Sequence, residues 1–478
     1  MTSATPISPA ALDQLRKIVG SGGYFDQPFD VEPFLVDHRK LYRGATPLVL
    51  RPDSTAQVTQ LLKFCNEQRI GVVPIGGNTS YCGGATPSSD GAQIVISLSR
   101  LKRIRHIDPQ NYTLTVEAGC VLADAQQAAE QVDRLFPLRL GSEGTCQIGG
   151  NLSTNAGGTA VLRYGMARDL VLGLEVVLPD GRVLDDLTAL RKNNMGYDLK
   201  HLFMGAEGTL GVITAVTLKL FPLPKTRVTA IAALNDPAAA VSLLSFIRSE
   251  ASDSLATFEL MPRNALEPVF AHIDGCRDPF EEKHPWYVLL EATTPLTSAT
   301  LQDEFTAALA RAHEQDLVRD AVIAQNHQQH ELFWRLRESI PSAERVTGSV
   351  SIKHDVSVAI SDIPRFIEAA SSLCRQIAPE GNQIIYGHLG DGSLHFNINA
   401  LPQTDQAALL AKAPQIHHAM HELIATYRGS ISAEHGIGQL KRDELAKYKN
   451  PVALEVMRAI KKSLDPNHIM NPGKVILY

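Results

Sequence analysis

The sequence predicts an α+β protein of more than one domain. Its 478 residues are too many for a single hydrophobic core. The first half alternates short apolar runs with glycine-rich turns, and the second half alternates helical patterns with strands suited to an antiparallel sheet. We therefore expect an N-terminal helical segment (1–45), a glycine-rich domain (46–224), an antiparallel-sheet domain (225–428) and a C-terminal helical segment (429–478).

The elements of the glycine-rich domain follow from capping and periodicity. Apolar residues recur at helical spacing from the cap candidate Ser54 to Cys65, so this segment predicts a helix. The sequence Pro179-Asp180-Gly181 predicts a turn between two strands. Further strands are predicted over 72–75, 93–98 and 112–117, and a further helix over 121–132.

The sequence pattern changes after Phe221-Pro222-Leu223-Pro224, and we expect a domain boundary there. Beyond it, alternating and helical patterns interleave. Strands are predicted over 228–234, 257–260, 286–292 and 351–358, and helices over 237–249, 298–313, 362–377 and 405–427.

Composition excludes several classes of function. The net charge is −6 with no block of like charges, which argues against nucleic acid as a partner. No run of about 18 apolar residues predicts a transmembrane segment, and no signal peptide is predicted. The six cysteines are scattered without a C-x-x-C pair, so we expect reduced thiols and a cytoplasmic location.

Three glycine-rich runs lie at 74–84, 141–158 and 205–213. Successive backbone N–H groups at such turns form a concave anion site, which suits a pyrophosphate. No G-x-G-x-x-G and no Walker A pattern occurs, so neither a Rossmann domain nor a P-loop is predicted. One run alone would indicate only a turn, but three together favour a phosphate site.

The most informative motif is Gly387–Asn397, which predicts a tight hairpin. A four-residue turn there would pair His388 with His395 across the strands, on one face. Two imidazoles with the carboxylate of Glu434 are a usual ligand set for zinc or a similar divalent ion.

Other polar residues accompany this ligand set. Asn397 is two residues after His395 and shares its face, and His435 is predicted to act as a base. Asp391 is predicted to form the turn rather than to bind metal. Three further histidines are predicted to be structural: His417, His418 and His421.

The glycine runs, together with Gly196-Tyr197-Asp198-Leu199, resemble the FAD domain of the vanillyl-alcohol-oxidase-like flavoproteins. The histidine hairpin, 432–438 and 471–474 resemble the C-terminal half of one branch, the FAD-linked D-2-hydroxyacid dehydrogenases, and most of all the D-2-hydroxyglutarate dehydrogenases. The resemblance covers nearly the whole chain. It implies two α+β subdomains that bind FAD, an antiparallel-sheet substrate domain and a helical segment that closes the active site.

The resemblance also implies which residues bind FAD. Some relatives have a histidine after the paired glycines that bonds covalently to the flavin; this chain has Asn78 there, which implies non-covalent FAD. The implied positions are Pro74, Ile75, Gly76, Gly77, Asn78, Thr79, Ser80, Gly83, Gly141, Ser142, Gly144, Thr145, Gly149, Gly150, Asn151, Thr154, Asn155, Gly157, Gly158, Glu207, Gly208, Gly211, Ile213 and Asn471.

The substrate that the resemblance implies is a D-2-hydroxy acid, whose α-carbon loses a hydride to flavin N5. A divalent metal, with zinc favoured, on His388, His395 and Glu434 would bind the hydroxyl and carboxylate oxygens. His435 would take the hydroxyl proton. Asn397 would orient the substrate.

Two cations match family positions that contact substrate carboxylates. Arg337 can fork onto a carboxylate with two hydrogen bonds, although the residue alone favours a solvated helix arginine. Lys353 would contact the distal carboxylate, and a plain salt bridge with Asp355 is the alternative. Pro341 stands where glutarate-specific relatives tend to carry a hydroxyl residue, which weakens the expectation of a five-carbon diacid.

The resemblance thus favours oxidation of D-2-hydroxyglutarate to 2-oxoglutarate. D-lactate, D-malate or another D-2-hydroxy acid is the second expectation, and a glycolate-oxidase-type subunit the third. No nicotinamide motif occurs, so an electron-transfer flavoprotein, a cytochrome or a quinone is expected as the electron acceptor in place of NAD. A homodimer is an open alternative to a monomer.

Two other classes of function remain open from the residues. One is a metal-dependent hydrolase whose glycine runs are plain loops. The other is a non-catalytic flavoprotein subunit that relays electrons. The joint presence of His388, His395, Glu434 and His435 disfavours such a subunit.

Overall fold

The computed structural model describes residues 6–297, 300–346, 350–401 and 404–477. The chain divides into two compact units. The first unit comprises Met1–Ala156, Met166–Pro222 and Glu434–Tyr478, and the second comprises Gly157–Gly165 and Leu223–Ala433. The domain boundaries expected at 1–45, 46–224, 225–428 and 429–478 stay predictions.

The first unit contains two main sheets. One has four strands in the order Tyr24–Phe25, Val49–Leu50, Gln93–Ser97 and Gly71–Ile75, parallel except for the first strand. The other is antiparallel, with the order Ile104–Asp108, Thr113–Glu117, Val212–Lys219, Val171–Val177 and Val183–Asp186. A two-stranded ribbon joins Arg134–Leu135 to Phe221–Pro222.

Helices accompany both sheets of the first unit, and the one predicted after Ser54 begins as expected. The Ser54 hydroxyl caps it by accepting the Gln57 N–H. The helix predicted over 121–132 runs from Leu122 to Glu130. The α-helices are Pro9–Val19, Pro28–Val31, Thr55–Gln68, Leu122–Glu130, Ile148–Ser153, Lys200–Phe203, Arg442–Tyr448 and Pro451–Leu464, with short 3-10 turns at Glu32–Phe34 and Ala167–Leu170.

The second unit contains two antiparallel sheets, as predicted. A four-stranded sheet has the order Leu255–Pro262 (the glutamate strand), Trp286–Thr294, Thr226–Leu234 and Asp320–Ile323. A three-stranded sheet has the order Ser351–Ser357, Ser393–Ala400 (the histidine strand) and Gly381–Tyr386. An antiparallel bridge between Leu260 and Gly387 joins the edges of the two sheets.

The helices of the second unit cover these sheets. The α-helices are Val161–Tyr164, Pro237–Ala251, Arg263–His272, Thr300–Glu314, His327–Glu338, Ile340–Val346, Ile363–Ile377, Gln406–Ala411 and Ala413–Thr426, with 3-10 turns at Ser252–Ser254, Ile360–Asp362 and Leu389–Asp391. Side chains of the strands and of four long helices form the larger apolar core of this unit, which includes Leu243, Phe258, Phe305, Phe366 and Met420.

Two predicted helices differ in their bounds from the helices of the structure. The single helix expected over 405–427 is wrong, since the chain breaks at Lys412 and a second helix begins at Ala413. Pro414 explains the break, because its ring is compatible with a first turn but not with a helix interior. The helix expected over 298–313 begins at Thr300, and its predicted start at Ser298 lies outside the described residues.

Two further expectations concern the membrane and the cysteines. Within the part of the chain that the structure describes, no helix is long and apolar enough to cross a bilayer. All six cysteines are buried and none forms a disulfide. Burial raises the pKa of the Cys120 thiol to about 11, which keeps it protonated.

A buried lysine anchors the C-terminal part of the first unit. Lys461 is 2% exposed, and its Nζ donates to the Asp465 carboxylate at 2.5 Å and to the carbonyls of Thr209 and Met470 at 2.6 and 2.8 Å. The Asp465 carboxylate also accepts the N–H groups of Ile469 and Met470. This network ties the last helix to the segment that follows it and to the third glycine run.

Replacing Lys461 with Met should lower the free energy of unfolding by about 3 kcal/mol, because it leaves the Asp465 carboxylate buried without its cation. Chemical denaturation of the FAD-saturated protein measures this change. Lys462→Met on the same helix is the matched control, since Lys462 is exposed, and should change stability by less than about 0.5 kcal/mol. Equal effects of the two substitutions would contradict the anchoring role.

Candidate active site

The histidine hairpin forms, but its register differs from the prediction. The expected direct pairing of His388 with His395 is wrong, because Tyr386 is the residue opposite His395. Gly387 instead exchanges hydrogen bonds with Leu260 of the other sheet, so pairing with the histidine strand ends at Tyr386. The chain then makes a 3-10 turn in which Asp391 accepts the Ser393 N–H, as expected of a turn former.

The two histidines nevertheless lie together in the second unit. Their ring centroids are 6.0 Å apart, and their nearest potential ligand atoms lie within 4.8 Å of each other. Asp355 is directly opposite His395 on the neighbouring strand, and its carboxylate also lies within 4.8 Å of that imidazole. Asp355 is therefore a potential oxygen ligand that the sequence analysis treated only as an ion-pair partner.

A buried carboxylate supports His388 and Arg337. Glu259 is 1% exposed; its Oε1 lies 2.7 Å from His388 Nδ1, and its Oε2 accepts Arg337 Nε and Nη2 at 2.9 and 2.8 Å. Burial acts to raise the pKa of Glu259, but its interactions with His388 and Arg337 outweigh burial, so the pKa lies below its usual value. The sequence analysis missed Glu259, although a lone acidic residue in an apolar strand was a usable indication.

The structure places Arg337 in a buried setting. It is 6% exposed and its guanidinium lies 5.0 Å from the centre of the Tyr386 ring, so the solvated-helix alternative is wrong. Its Nε and Nη2 both donate to Glu259, whereas Nη1 donates to no acceptor among the described residues. One N–H edge of the guanidinium thus stays available for a further acceptor.

A second acidic residue connects Lys353 and Asn397. These two residues are opposite each other on neighbouring strands. The Glu344 carboxylate accepts Asn397 Nδ2 at 3.1 and 3.2 Å and pairs with Lys353 Nζ at 3.4 Å. The ion pair of Lys353 is therefore with Glu344, whereas the alternative from the sequence was Asp355. Pro341 lies in the short helix Ile340–Val346, which also carries Glu344.

The glycine runs converge within the first unit. A Cβ on Gly77 would lie 2.3 Å from the Thr145 carbonyl oxygen, so only glycine permits the first two runs to approach this closely. A Cβ on Gly208 would lie 2.5 Å from the Pro74 ring, which brings the third run to the first. Gly157 and Gly158 are the exceptions, because they belong to the short segment of the second unit.

The first run has the properties of an anion site. In the described part of the chain, the backbone N–H groups from Gly76 to Ser80 donate no hydrogen bond. Asn78 has φ +52 and its amide donates to the carbonyls of Pro33 and Val36, which holds the turn. Successive unpaired N–H groups around a left-handed residue are the arrangement that binds phosphate oxygens.

Two buried acceptors complete this region. Gln147 Oε1 and Asn471 Oδ1 are buried and have no hydrogen-bond partner among the described residues. Open space surrounds Gly141, Gly144 and Gly150, where an added Cβ would meet nothing within 4 Å. FAD offers phosphate oxygens for the N–H groups and N–H and O–H donors for the acceptors, so the donor and acceptor set fits this cofactor.

Several other predicted residues have structural partners in the first unit. Asn471 Nδ2 donates to the carbonyls of Gly84 and Glu207. The buried Glu207 carboxylate accepts the N–H groups of Ile437 and Gly438, and burial raises its pKa. Gly211 and Ile213 lie against the strand Val171–Val177.

Glu434 and His435 begin the last segment of the first unit, directly after Ala433, where the second unit ends. The His435 ring contacts Tyr81 edge-on, with centroids 4.6 Å apart, and Tyr81 contacts His38 at 5.3 Å. The Glu207 hydrogen bonds to Ile437 and Gly438 brace the chain just after His435. The predicted base is therefore held in two ways: Tyr81 contacts its ring, and Glu207 binds the backbone that follows it.

Residues 223–475 match the family described as FAD linked oxidases, C-terminal domain, and residues 46–186 match the FAD binding domain. The chain belongs to the FAD-linked oxidases. It is an FAD-dependent dehydrogenase, as predicted, and the alternative of a metal-dependent hydrolase with plain glycine loops is wrong.

Two curated relatives cover nearly all of this FAD-linked oxidase. A protein of Oryza sativa subsp. indica, named "Probable D-2-hydroxyglutarate dehydrogenase, mitochondrial", is 41% identical over 96% of this chain and 80% of its own. The Arabidopsis thaliana protein named "D-2-hydroxyglutarate dehydrogenase, mitochondrial" is 37% identical over the same shares. The expected cytoplasmic location of this chain stays a prediction.

Among solved structures, p-cresol methylhydroxylase with substrate bound has a TM-score of 0.77 and 16% identity, and the match covers 98% of this chain and 97% of that one. At this identity the likeness shows the fold alone. It confirms the predicted α+β fold.

Replacing Gln147 with Met should weaken FAD binding about tenfold, because one buried hydrogen bond to the cofactor is worth about 1.4 kcal/mol at this position. Titration of deflavinated protein with FAD, followed by flavin fluorescence, measures the affinity. Gln126→Met is the matched control, since the Gln126 amide already donates to the Leu138 carbonyl. An unchanged FAD affinity in Gln147→Met would show that Gln147 does not contact the cofactor.

Proposed function

We propose that this FAD-linked oxidase oxidises a D-2-hydroxy acid to the 2-oxo acid, with D-2-hydroxyglutarate as its preferred substrate. One observation carries the proposal. The three-stranded sheet of the second unit carries Lys353, His395 and Asn397, and His388 and the buried Arg337 lie at its edge. Imidazoles, cations and an amide are the groups that recognise a hydroxyl and two carboxylates. The names of the two curated relatives support the same substrate.

The two cations would recognise the carboxylates of the substrate. One N–H edge of Arg337 meets no acceptor in the described part of the chain, and Glu259 holds the other edge, so the guanidinium is oriented before a substrate arrives. Lys353 is one-third exposed and its contact with Glu344 is long, at 3.4 Å. A substrate carboxylate can therefore approach this ammonium. Two cations suit a diacid better than a monoacid such as lactate.

Pro341 favours the runner-up substrates. It offers no hydrogen-bond donor where a hydroxyl residue would supply one, so one contact to a five-carbon diacid is missing. D-lactate, D-malate or another D-2-hydroxy acid is therefore the second candidate within the same reaction. The residues that act on the hydroxyl would be the same for all of them.

The proposed metal ligands are His388, His395 and Glu434, with zinc as the favoured ion. Neutral imidazoles and a carboxylate are the donor set that zinc prefers, and the first two already lie within ligand distance of each other. A divalent ion at these residues would supply charge that lowers the pKa of the substrate hydroxyl. Asn397 would orient the substrate beside them.

His435 is the proposed base. A neutral imidazole can accept the hydroxyl proton near neutral pH. Its contact with Tyr81 and the bracing of residues 437 and 438 by Glu207 limit its movement, which suits a group that must meet one proton. FAD, held non-covalently because Asn78 replaces the histidine that would form a bond, supplies the hydride acceptor at N5.

The reduced flavin requires an electron acceptor. We propose an electron-transfer flavoprotein, a cytochrome or a quinone, because the sequence has no nicotinamide-binding motif. The oligomeric state stays a prediction.

Anaerobic mixing of the purified protein with single 2-hydroxy acids tests the reaction and the substrate together. D-2-Hydroxyglutarate should bleach the flavin faster than D-lactate, because it offers a carboxylate to each of the two cations. It should also react faster than D-malate, in keeping with the names of the curated relatives, and the L-enantiomers should not bleach the flavin. The absorbance near 450 nm, a general flavin band, reports the reaction. If D-lactate or D-malate reacts fastest, the reaction stands and the substrate is revised; if no D-2-hydroxy acid bleaches metal-loaded protein, the proposed function is wrong.

His435→Asn should lower the single-turnover rate of flavin reduction by about 10²- to 10⁴-fold, the range for loss of a general base. Bound FAD should stay at the wild-type level. His38→Asn is the matched control, because His38 belongs to the same aromatic contact with Tyr81 but is exposed. A wild-type rate in His435→Asn would rule out His435 as the base.

A further inference from the structure

Glu259 is a charged residue in the middle of an apolar strand. Its neighbours Phe258 and Leu260 are fully buried, and Glu259 itself is 1% exposed. A carboxylate is retained at such a position only when both of its oxygens are paired. Here Oε1 is paired with His388 and Oε2 with Arg337.

The fold accounts for this placement step by step. The bridge between Leu260 and Gly387 is antiparallel, so Glu259 and His388 are the next residues on the same side of it and lie opposite each other. The helix His327–Glu338 brings Arg337 to the same carboxylate. A histidine and an arginine from separate elements therefore share one acid.

We infer that Glu259 is a positioning residue that sets the ring of His388 for metal binding and the guanidinium of Arg337 for substrate binding. The inference rests on the proposed function, because it assigns Glu259 a role toward the metal and the carboxylate. It does not make Glu259 a ligand.

The chemistry of imidazole supports the first role. In a neutral histidine one ring nitrogen carries the proton and the other is free to bind a metal. The Glu259 carboxylate can only accept a hydrogen bond, and its Oε1 lies 2.7 Å from His388 Nδ1, so Nδ1 carries the proton. This fixes the tautomer with Nδ1–H and leaves Nε2 of His388 as the ligand atom.

A carboxylate is required because two donors meet it. His388 Nδ1–H and the Arg337 fork both need acceptors, and a carboxylate has two acceptor oxygens. Glutamine has one acceptor oxygen and one NH₂ group, so Glu259→Gln presents a donor to either the imidazole or the guanidinium. One of the two partners must then turn away or change its tautomer.

Another buried glutamate in the same sheet provides a comparison. Glu291, on the neighbouring strand, accepts Thr229 Oγ1 and Trp334 Nε1 and faces Arg227. It is buried like Glu259 but contacts neither His388 nor Arg337. Glu291→Gln therefore measures what the loss of a buried carboxylate does to the sheet alone.

The experiment is a titration of FAD-containing protein, stripped of divalent metal by a chelator, with Co²⁺. The visible bands of Co²⁺ report nitrogen ligation and do not depend on turnover. We expect Glu259→Gln to raise the Kd for Co²⁺ about 10- to 100-fold over wild type, the usual cost of losing a partner of a ligating histidine. Glu291→Gln should change this Kd less than about threefold, with a similar melting temperature for both variants.

The possible results distinguish the positioning role of Glu259, the proposed metal site and a general effect on stability. A wild-type Kd for Co²⁺ in folded Glu259→Gln would overturn the positioning role, whereas the proposed reaction would stand. Wild-type protein that binds neither Co²⁺ nor Zn²⁺ would refute the proposed metal site and the inference with it, independently of flavin bleaching. An equal loss of Co²⁺ affinity in Glu291→Gln would mean that the effect is one of general stability, and this too would overturn the inference.

A second variant keeps the test decisive if Glu259→Gln does not fold. Glu259→Asp keeps the charge but is shorter by one methylene, so it can reach one partner well but not both. We expect the Kd for Co²⁺ to lie between those of wild type and the expected glutamine variant. A Kd equal to that of wild type would show that the span between His388 and Arg337 has no effect on the metal.

Discussion

Two backbone hydrogen bonds between Leu260 and Gly387, at 2.8 and 3.1 Å, organise the chemistry of the second unit. They join a four-stranded and a three-stranded sheet at their edges, and they set Glu259 beside His388. Gly387 has φ +155, and a Cβ there would lie 2.6 Å from the Ser393 carbonyl oxygen. The contact therefore requires glycine, and the shared acid, the histidine and the arginine depend on it.

The local elements were predictable because their causes are local. The cap at Ser54, the turn at Pro179-Asp180-Gly181 and the alternation in 286–292 act over a few residues, and the structure has a helix or strand at each. The helix expected over 405–427 failed for an equally local reason, since Pro414 permits a new first turn but not a continuous helix. The start of the second helix could therefore have been predicted from Pro414.

The contacts of the site were less predictable, because they join distant parts of the chain. The histidine hairpin was recognisable, but its register depends on Leu260, more than a hundred residues earlier, and no local rule could supply that. The burial of Arg337 and its ion pair with Glu259 likewise depend on how a helix packs on a strand. Family resemblance pointed to Arg337 through its motif; Glu259 had no motif around it.

The chain order of the two units has a consequence for biosynthesis. The first unit needs its last segment, because Lys461, Asn471 and the 437–438 backbone complete the glycine-rich region. The second unit needs only residues that precede 434. During translation the second unit can therefore finish folding first, while the first unit stays incomplete until the segment that begins at Glu434 has left the ribosome. We expect chaperones to bind mainly to this incomplete first unit.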